Sequence, residues 1–206
     1  MPQRRSTYPR CSGQLLELRL SLDIDLPASA GRRIRAIFKR IPVLVGRSIA
    51  ISGKPDLTVL RGKLLSGHAG RGTPVHAATF IRERRIVLES RLLHSPKQLR
   101  LILIHELFHF VWARLNNRSR NEYAALLQNE GRLAAHGELG ESSSVKKESL
   151  DRNVRHWREY VCESFCDTAA WLQAGIPECE HYTLPARFRQ RRAAWFDTTL
   201  DSPVRC

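Results

Sequence analysis

The chain of 206 residues has few features of a secreted or membrane-spanning protein. No apolar segment follows the polar, basic residues 1–11, as it would in a secretory signal. The longest apolar run, residues 99–115, is interrupted by five ionisable side chains and is therefore unsuited to span a bilayer. The cysteines are odd in number and irregularly spaced, unlike a disulfide framework: Cys11, Cys162, Cys166, Cys179 and Cys206. These absences predict reduced thiols, a cytoplasmic location and no membrane partner.

Lysine is also scarce, since 28 of the 34 basic residues are arginine. The formal net charge of +14 would attract polyanions, which makes nucleic acid a conceivable partner. We do not favour it, because a GC-rich genome alone can enrich arginine. Hydrophobic residues at 42% and charged residues at 26% are typical of a soluble globular protein. The length allows one domain, or at most two small ones.

Hydrophobic spacing predicts an α+β fold. Residues 16–26 alternate between apolar and polar, which is the period of a half-buried strand. A helix is predicted over 28–40, and short strands are predicted over 57–65, 75–81 and 85–89. We divide the chain into a basic arm (1–13), a single domain (14–183) and a C-terminal segment (184–206). That segment carries a basic-aromatic patch that includes Arg187, Arg189, Arg191 and Arg192. We interpret it as an amphipathic helix packed on the domain rather than as a nucleic-acid contact.

The clearest predicted element is a helix over 95–115. Ser95 and Gln98 have the spacing of a capping box, and Pro96 suits the first helical position. Apolar residues cover nearly all of its faces, so this helix should lie in the middle of the core. A short helix is predicted over 121–129, a surface loop over 131–148 and a long helix over 151–174, with Gly175 as its C-terminal cap.

The buried helix contains the motif His105-Glu106-Leu107-Phe108-His109. Two histidines four residues apart lie on one side of a helix, so both imidazoles can bind one metal ion. Glu106 is rotated away from them and can reach a water on that ion without coordinating it. Burying three ionisable groups without a partner is costly, and a metal would supply that partner. The motif therefore predicts a zinc site with Glu106 as the general base.

A catalytic zinc usually has three protein ligands and one open position. The helix over 151–174 offers Glu163 as the third ligand. Asp167 lies one turn further on and could accept a hydrogen bond from a ligand histidine, fixing its tautomer. The competitors for the third position are Glu122, Glu159 and His156. Cys162 and Cys166 are interpreted as two small helix residues rather than as ligands or a redox pair.

The pattern of His105-Glu106-x-x-His109 followed by Glu163-x-x-x-Asp167 resembles the gluzincin metallopeptidases. Residues 163–172 are similar to the second motif of the ImmA/IrrE-type proteins, and the strand 85–89 resembles part of the small zincin sheet, whose edge strand lines the substrate cleft. The resemblance implies a zincin-like fold. It also implies that His105, His109 and Glu163 bind zinc, that Glu106 is the general base and that Asp167 supports a ligand.

We therefore expect a small twisted sheet packed on the buried helix, and zinc-dependent hydrolysis of peptide bonds in a peptide or protein substrate. The alternative is a basic regulatory or nucleic-acid-associated protein whose zinc is only structural. A third ligand with an exposed coordination position favours the enzyme, whereas a fourth protein ligand that closes the shell favours the alternative.

Overall fold

The computed structural model describes residues 17–24, 26–67, 70, 72–150, 153–200 and 203–206, and the predicted basic arm (1–13) lies outside them. The fold is α+β, as predicted. The helices are α1 (Ala28–Phe38), α2 (Pro96–Arg114), α3 (Asn117–Arg132), α4 (Glu141–Glu148), α5 (Val154–Gln173) and α6 (Ala186–Thr199), and a 3-10 helix covers Ser90–His94. The strands are β1 (Leu20–Leu22), β2 (Leu44–Val45), β3 (Ile49–Lys54), β4 (Thr58–Leu60), β5 (Lys63–Leu65), β6 (Thr73–Pro74), β7 (Ala77–Phe80), β8 (Arg85–Glu89) and β9 (Val204–Arg205).

The main sheet has four strands in the order β1-β3-β8-β7. The first three are mutually parallel, and β7 pairs antiparallel with β8 at the edge. β8 contains Ile86, Val87 and Leu88, which are all buried, as expected for a strand covered on both faces. In the part of the chain that the structure describes, no strand pairs with the outer edge of β7. This open edge lies beside α2.

Helix α2 begins within one residue of its predicted start, with Pro96 in the first turn. Its buried residues include Leu99, Leu103, Leu107 and Phe110, and the helix packs between the sheet and α5. The predicted capping box does not form, because the side chain of Ser95 makes no capping hydrogen bond. The central position of the helix therefore rests on its apolar surface rather than on its cap.

Helix α5 lies along α2 and brings its own buried face to the same interface. The side chain of Asn153 caps it by accepting a hydrogen bond from the backbone N–H of Arg155. Helix α4 packs on α5 within the region 131–148, so the prediction of a surface loop there is wrong. Ser143 of α4 is fully buried, and its contacts explain why this serine-rich segment is ordered.

Three element boundaries differ from prediction. Of the strand expected over 16–26, residues 16 and 25 lie outside the described residues; among the others, β1 covers Leu20–Leu22, the residues that pair with β3. The segment 57–65 forms two antiparallel strands, since Arg61 and Gly62 both have positive φ and reverse the chain. Helix α3 is longer at both ends than the predicted 121–129, and the side chain of Asn116 caps it.

The C-terminal segment packs on the rest of the fold through Phe188, Arg192 and Phe196 of α6. Helix α6 does pack on the domain, but Arg192 is wholly buried and so does not share a surface patch with the other three arginines. Its guanidinium pairs with Glu130 and Glu138 at 2.7 Å each. Strand β9 then pairs with β2.

Among the described residues, no helix is long and apolar enough to cross a membrane.

Candidate metal centre

The two motif histidines face each other one turn apart on α2. Their Nε2 atoms are 3.2 Å apart, and the rings meet nearly edge to face. His105 is buried and His109 is partly buried. The helical spacing that the sequence predicted therefore aims both imidazoles at one point.

Glu163 reaches the same point from α5. Its Oε2 atom lies 3.1 Å from Nε2 of His105 and 3.8 Å from Nε2 of His109. Ligand atoms about 2.0–2.1 Å from a tetrahedral zinc would be about 3.3–3.4 Å apart. The three donor atoms have separations close to that value, so the residues present fit a tetrahedral metal ion.

Asp167 lies behind His105, one turn further along α5. Nδ1–H of His105 donates to Oδ1 of Asp167 at 2.7 Å, while the backbone N–H of Ser143 donates to Oδ2 at 2.8 Å. With Nδ1 held by a carboxylate, Nε2 is left free to bind a metal. A Cβ at Gly140 would lie 2.2 Å from Cγ of Asp167, so only glycine permits this close approach of the chain.

These contacts shift the pKa values of the centre. Burial alone would lower the pKa of His105, but the Asp167 and Glu163 carboxylates outweigh burial and raise it well above its usual value. Burial would raise the pKa of Glu163, yet the hydrogen bond from His105 and the nearby imidazoles lower it. Both shifts favour an ion pair between a protonated His105 and an ionised Glu163.

Glu106 lies beside the donor atoms, and a residue of the main sheet holds its carboxylate. The hydroxyl of Thr79 on β7 donates to Oε2 of Glu106 at 2.6 Å. A cavity of about 360 Å³ opens at this point, and its lining includes His105, His109, Glu106, Glu163 and Ser142 together with residues of β7. The predicted base and the predicted metal ligands thus face one shared space.

Two thiols lie next to Nδ1 of His109, although the sequence had predicted no role for them in the site. The sulfur atoms of Cys162 and Cys166 are 3.5 and 3.4 Å from Nδ1 of His109. Contact with Cys166 and His109 lowers the pKa of Cys162 to about 6. His105, His109 and Cys166 each offer a donor atom within 4.8 Å of the others, so this group could also hold a metal ion.

Two of the competing third ligands have ion-pair partners of their own. Glu122 pairs with Arg118, and Glu159 pairs with Lys146 and Arg155. His156, the third competitor, is not among the residues that line the cavity. Of the acidic competitors and Glu163, only Glu163 contacts the two histidines in the described structure.

Sequence analysis missed Thr79, Gly140 and Ser143. Thr79 is 27 residues from Glu106 in sequence, and no local pattern joins them. Gly140 and Ser143 stood in a segment whose composition favoured a loop. A glycine directly before Glu141 was the available signal, because acidic residues are favoured in the first turn of a helix.

We compared the chain with protein-family models, with curated proteins and with solved structures, and none of them matches it.

Proposed function

We propose that the chain is a zinc-dependent metallopeptidase of gluzincin type that resembles the ImmA/IrrE-type family. The observation that carries this proposal is the convergence of Nε2 of His105, Nε2 of His109 and Oε2 of Glu163, with Glu106 on the same cavity. Three ligands that face an open space leave a position for water and substrate, which is the arrangement of a catalytic rather than a structural zinc.

The charge of the centre also favours a divalent cation. Three carboxyl groups, those of Glu106, Glu163 and Asp167, lie around the two histidines, and in the described structure no lysine or arginine pairs with them. Buried carboxylates require compensation by a cation, a proton or a metal. Zinc suits imidazole and carboxylate donors at these separations, so we assign zinc to His105, His109 and Glu163.

When bound, zinc would acidify a water molecule and polarise the scissile carbonyl group. Glu106 would serve as the general base, accepting a proton from the attacking water and delivering it to the leaving amine. Thr79 holds one oxygen of Glu106, which leaves the other oxygen to face the water. Asp167 keeps Nδ1 of His105 protonated, so that Nε2 stays a neutral ligand.

The open edge of β7 supports a peptide as the substrate. Ala77, Ala78 and Thr79 line the cavity, and their strand is paired only with β8 in the described structure. An extended peptide can add to such an edge by main-chain hydrogen bonds, which would bring its carbonyl groups past the metal centre. The resemblance to the zincins likewise implies an edge strand that lines the substrate cleft. We further propose a cytoplasmic location, consistent with the free thiols of the four described cysteines.

The test of the function is the replacement Glu106→Gln. The amide is nearly isosteric but cannot accept the proton, so the variant should fold, keep its zinc and cleave about 10²–10⁴-fold more slowly. Cleavage of a mixed peptide library is followed by mass spectrometry, with chelator-treated protein as the blank. Cleavage by Glu106→Gln at the wild-type rate would contradict the mechanism, and loss of zinc from this variant would assign Glu106 a structural role.

A structural zinc remains the second candidate, because Cys166 also lies near the histidines. The sulfur of Cys166 contacts Nδ1 of His109, whereas Glu163 lies on the Nε2 side of both rings. The two ligand sets therefore make different predictions. Measured zinc affinity should fall in Glu163→Gln and stay near the wild-type value in Cys166→Ser. The matched control is Glu159→Gln, one turn earlier on α5. The opposite result for the first two variants would favour the structural site.

A further inference from the structure

A second and larger cavity, of about 560 Å³, lies where the C-terminal end of α2 meets the N-terminal parts of α3 and α5. It shares no lining residue with the cavity of the metal centre. Its size is in the range of small-molecule sites. Its lining contains two tryptophans, two arginines and two asparagines, and no carboxylate is among the described residues around it.

Each indole ring packs against another aromatic ring, and the guanidinium of Arg120 lies over the Trp112 ring, 5.6 Å from its centroid. Trp112 lies against Phe165, with ring centroids 5.1 Å apart, and Trp157 lies against Tyr160 at 5.5 Å. Both tryptophans remain partly exposed. Fixed aromatic rings at the wall of a pocket are suitable platforms for stacking a planar ligand.

The two guanidinium groups bring positive charge that no described carboxylate neutralises. Nε and Nη2 of Arg120 donate to the backbone carbonyl of Trp112 at 3.1 and 2.8 Å, which fixes the group without cancelling its charge. Arg158 is exposed and makes no ion pair with any described residue. Arg155, three residues earlier on the same helix, differs because it pairs with Glu159 at 2.8 Å.

Asn117 and Asn121 stand one turn apart on α3 and line the same pocket. Both are exposed, and neither amide is hydrogen-bonded within the described structure. An asparagine amide carries a donor and an acceptor side by side, which matches the edge of an adenine ring. The pocket thus combines ring platforms, unneutralised cations and paired donor and acceptor groups.

We propose that this pocket binds a nucleoside monophosphate, with its base against the indoles and the asparagine amides and its phosphate held by Arg120 and Arg158. Arginine is suited to phosphate because its planar fork donates two parallel hydrogen bonds. This site is independent of the proposed peptidase activity, because it uses a different cavity and none of the metal-centre residues.

The test uses the full chain labelled with 5-fluorotryptophan and followed by fluorine NMR at low ionic strength. Adenosine monophosphate should shift the Trp112 and Trp157 signals saturably, while Trp171, which lies outside the pocket, serves as the internal reference. Signals are assigned with single Trp→Phe variants. Adenosine, inorganic phosphate and phenyl phosphate are titrated alongside, and each should bind at least tenfold more weakly, because each lacks part of the recognised group.

The variant Arg158→Gln should weaken binding of adenosine monophosphate about tenfold or more, as expected for loss of a charge-assisted hydrogen bond. Arg155→Gln is the matched control and should bind like the wild type. An unchanged Trp171 signal without ligand verifies that each variant is folded. The proposal is overturned if millimolar nucleotide gives no saturable shift, or if phosphate or phenyl phosphate binds equally well. It is also overturned if Arg155→Gln loses as much affinity as Arg158→Gln, or if only a single-stranded oligonucleotide shifts these signals.

Discussion

Two clusters of buried charge lie on either side of α5, and adjacent residues of the helix belong to different clusters. Ser164 accepts a hydrogen bond from Arg192, whose guanidinium also pairs with Glu130 and Glu138. Glu163, the residue before it, faces His105 and His109. The first cluster contains its own cations, Arg192 and Lys147, for its two acids. The second has three carboxylates and only the histidines as a source of positive charge.

This difference separates a structural cluster from a candidate catalytic one. In the Arg192 cluster, each charge is compensated by another side chain, so the group is complete without a ligand and ties α6 to α3 and the chain before α4. In the candidate metal centre, compensation must come from protons or from a bound cation. The two clusters should therefore respond differently to mutation, to metal and to pH.

The largest effect should come from Arg192→Met. It leaves Glu130 without an ion-pair partner among the described residues and Glu138 with Lys147 alone. Breaking one side of a buried ion pair costs about 3–5 kcal/mol. Urea unfolding measures this loss. Arg191→Met, at an exposed position of the same helix, is the control and should change stability by no more than about 0.5 kcal/mol. Equal losses of stability in Arg192→Met and Arg191→Met would show that the buried cluster contributes no more to stability than an exposed arginine does.

The next effect concerns Gly140→Ala, which should disturb only the metal centre. Its Cβ would collide with Asp167. Overpacking of this kind costs about 1–3 kcal/mol, and displacement of a group that orients a ligand costs about 10–100-fold in metal affinity. Unfolding and zinc titration measure the two losses. Gly131→Ala is the control, since nothing lies near its Cβ on α3, and it should stabilise the protein slightly. Full zinc affinity in Gly140→Ala would contradict the role of Asp167.

The third effect is a pair of opposite pH dependences. One is the contribution of His105 to the stability of the metal-free protein, and the other is the affinity for zinc. The pKa of His105 is raised in the folded chain, so its proton stabilises the metal-free protein fully below the unfolded value of about 6.5. This contribution is lost as the pH rises through the folded pKa. Zinc affinity should instead increase with pH, because a ligand histidine must be neutral.

Unfolding of chelator-treated wild type and His105→Gln across this range isolates the contribution of His105. The stability difference between the two proteins should shrink as the pH rises. If it grows instead, the proton is not held on His105 in the folded chain.

The smallest effect is expected for Thr79→Val, which removes the hydroxyl that holds Glu106. One lost hydrogen bond of this kind costs about 1 kcal/mol. Thr79→Ser keeps the hydroxyl and should recover most of that stability in thermal or urea unfolding. Equal stability of the valine and serine variants would show that the contact with Glu106 contributes nothing.

Local pattern was sufficient for much of the framework. The strand over 85–89 matches β8 at both ends, and α2 and α5 lie within a few residues of their predicted ranges. Hydrophobic periodicity, and the residues that begin or end an element, predict such helices and strands because both are properties of consecutive residues. How far β1 extends, and that α4 forms a helix at all, depend on contacts with residues distant in sequence. A local pattern carries no information about such contacts.

For the site, the sequence by itself determined that His105 and His109 share one side of a helix with Glu106 beside them, because helical geometry fixes that relation. The sequence also placed Glu163 and Asp167 one turn apart on a second predicted helix. Only the tertiary structure decided that these acids, rather than Glu122 or Glu159, meet the histidines, because that depends on how α5 packs along α2. The same packing placed Cys162 and Cys166 behind His109 and buried Arg192. The reason is physical: a helix sets the angles among its own side chains, whereas contacts between helices are set by the packing of the whole core.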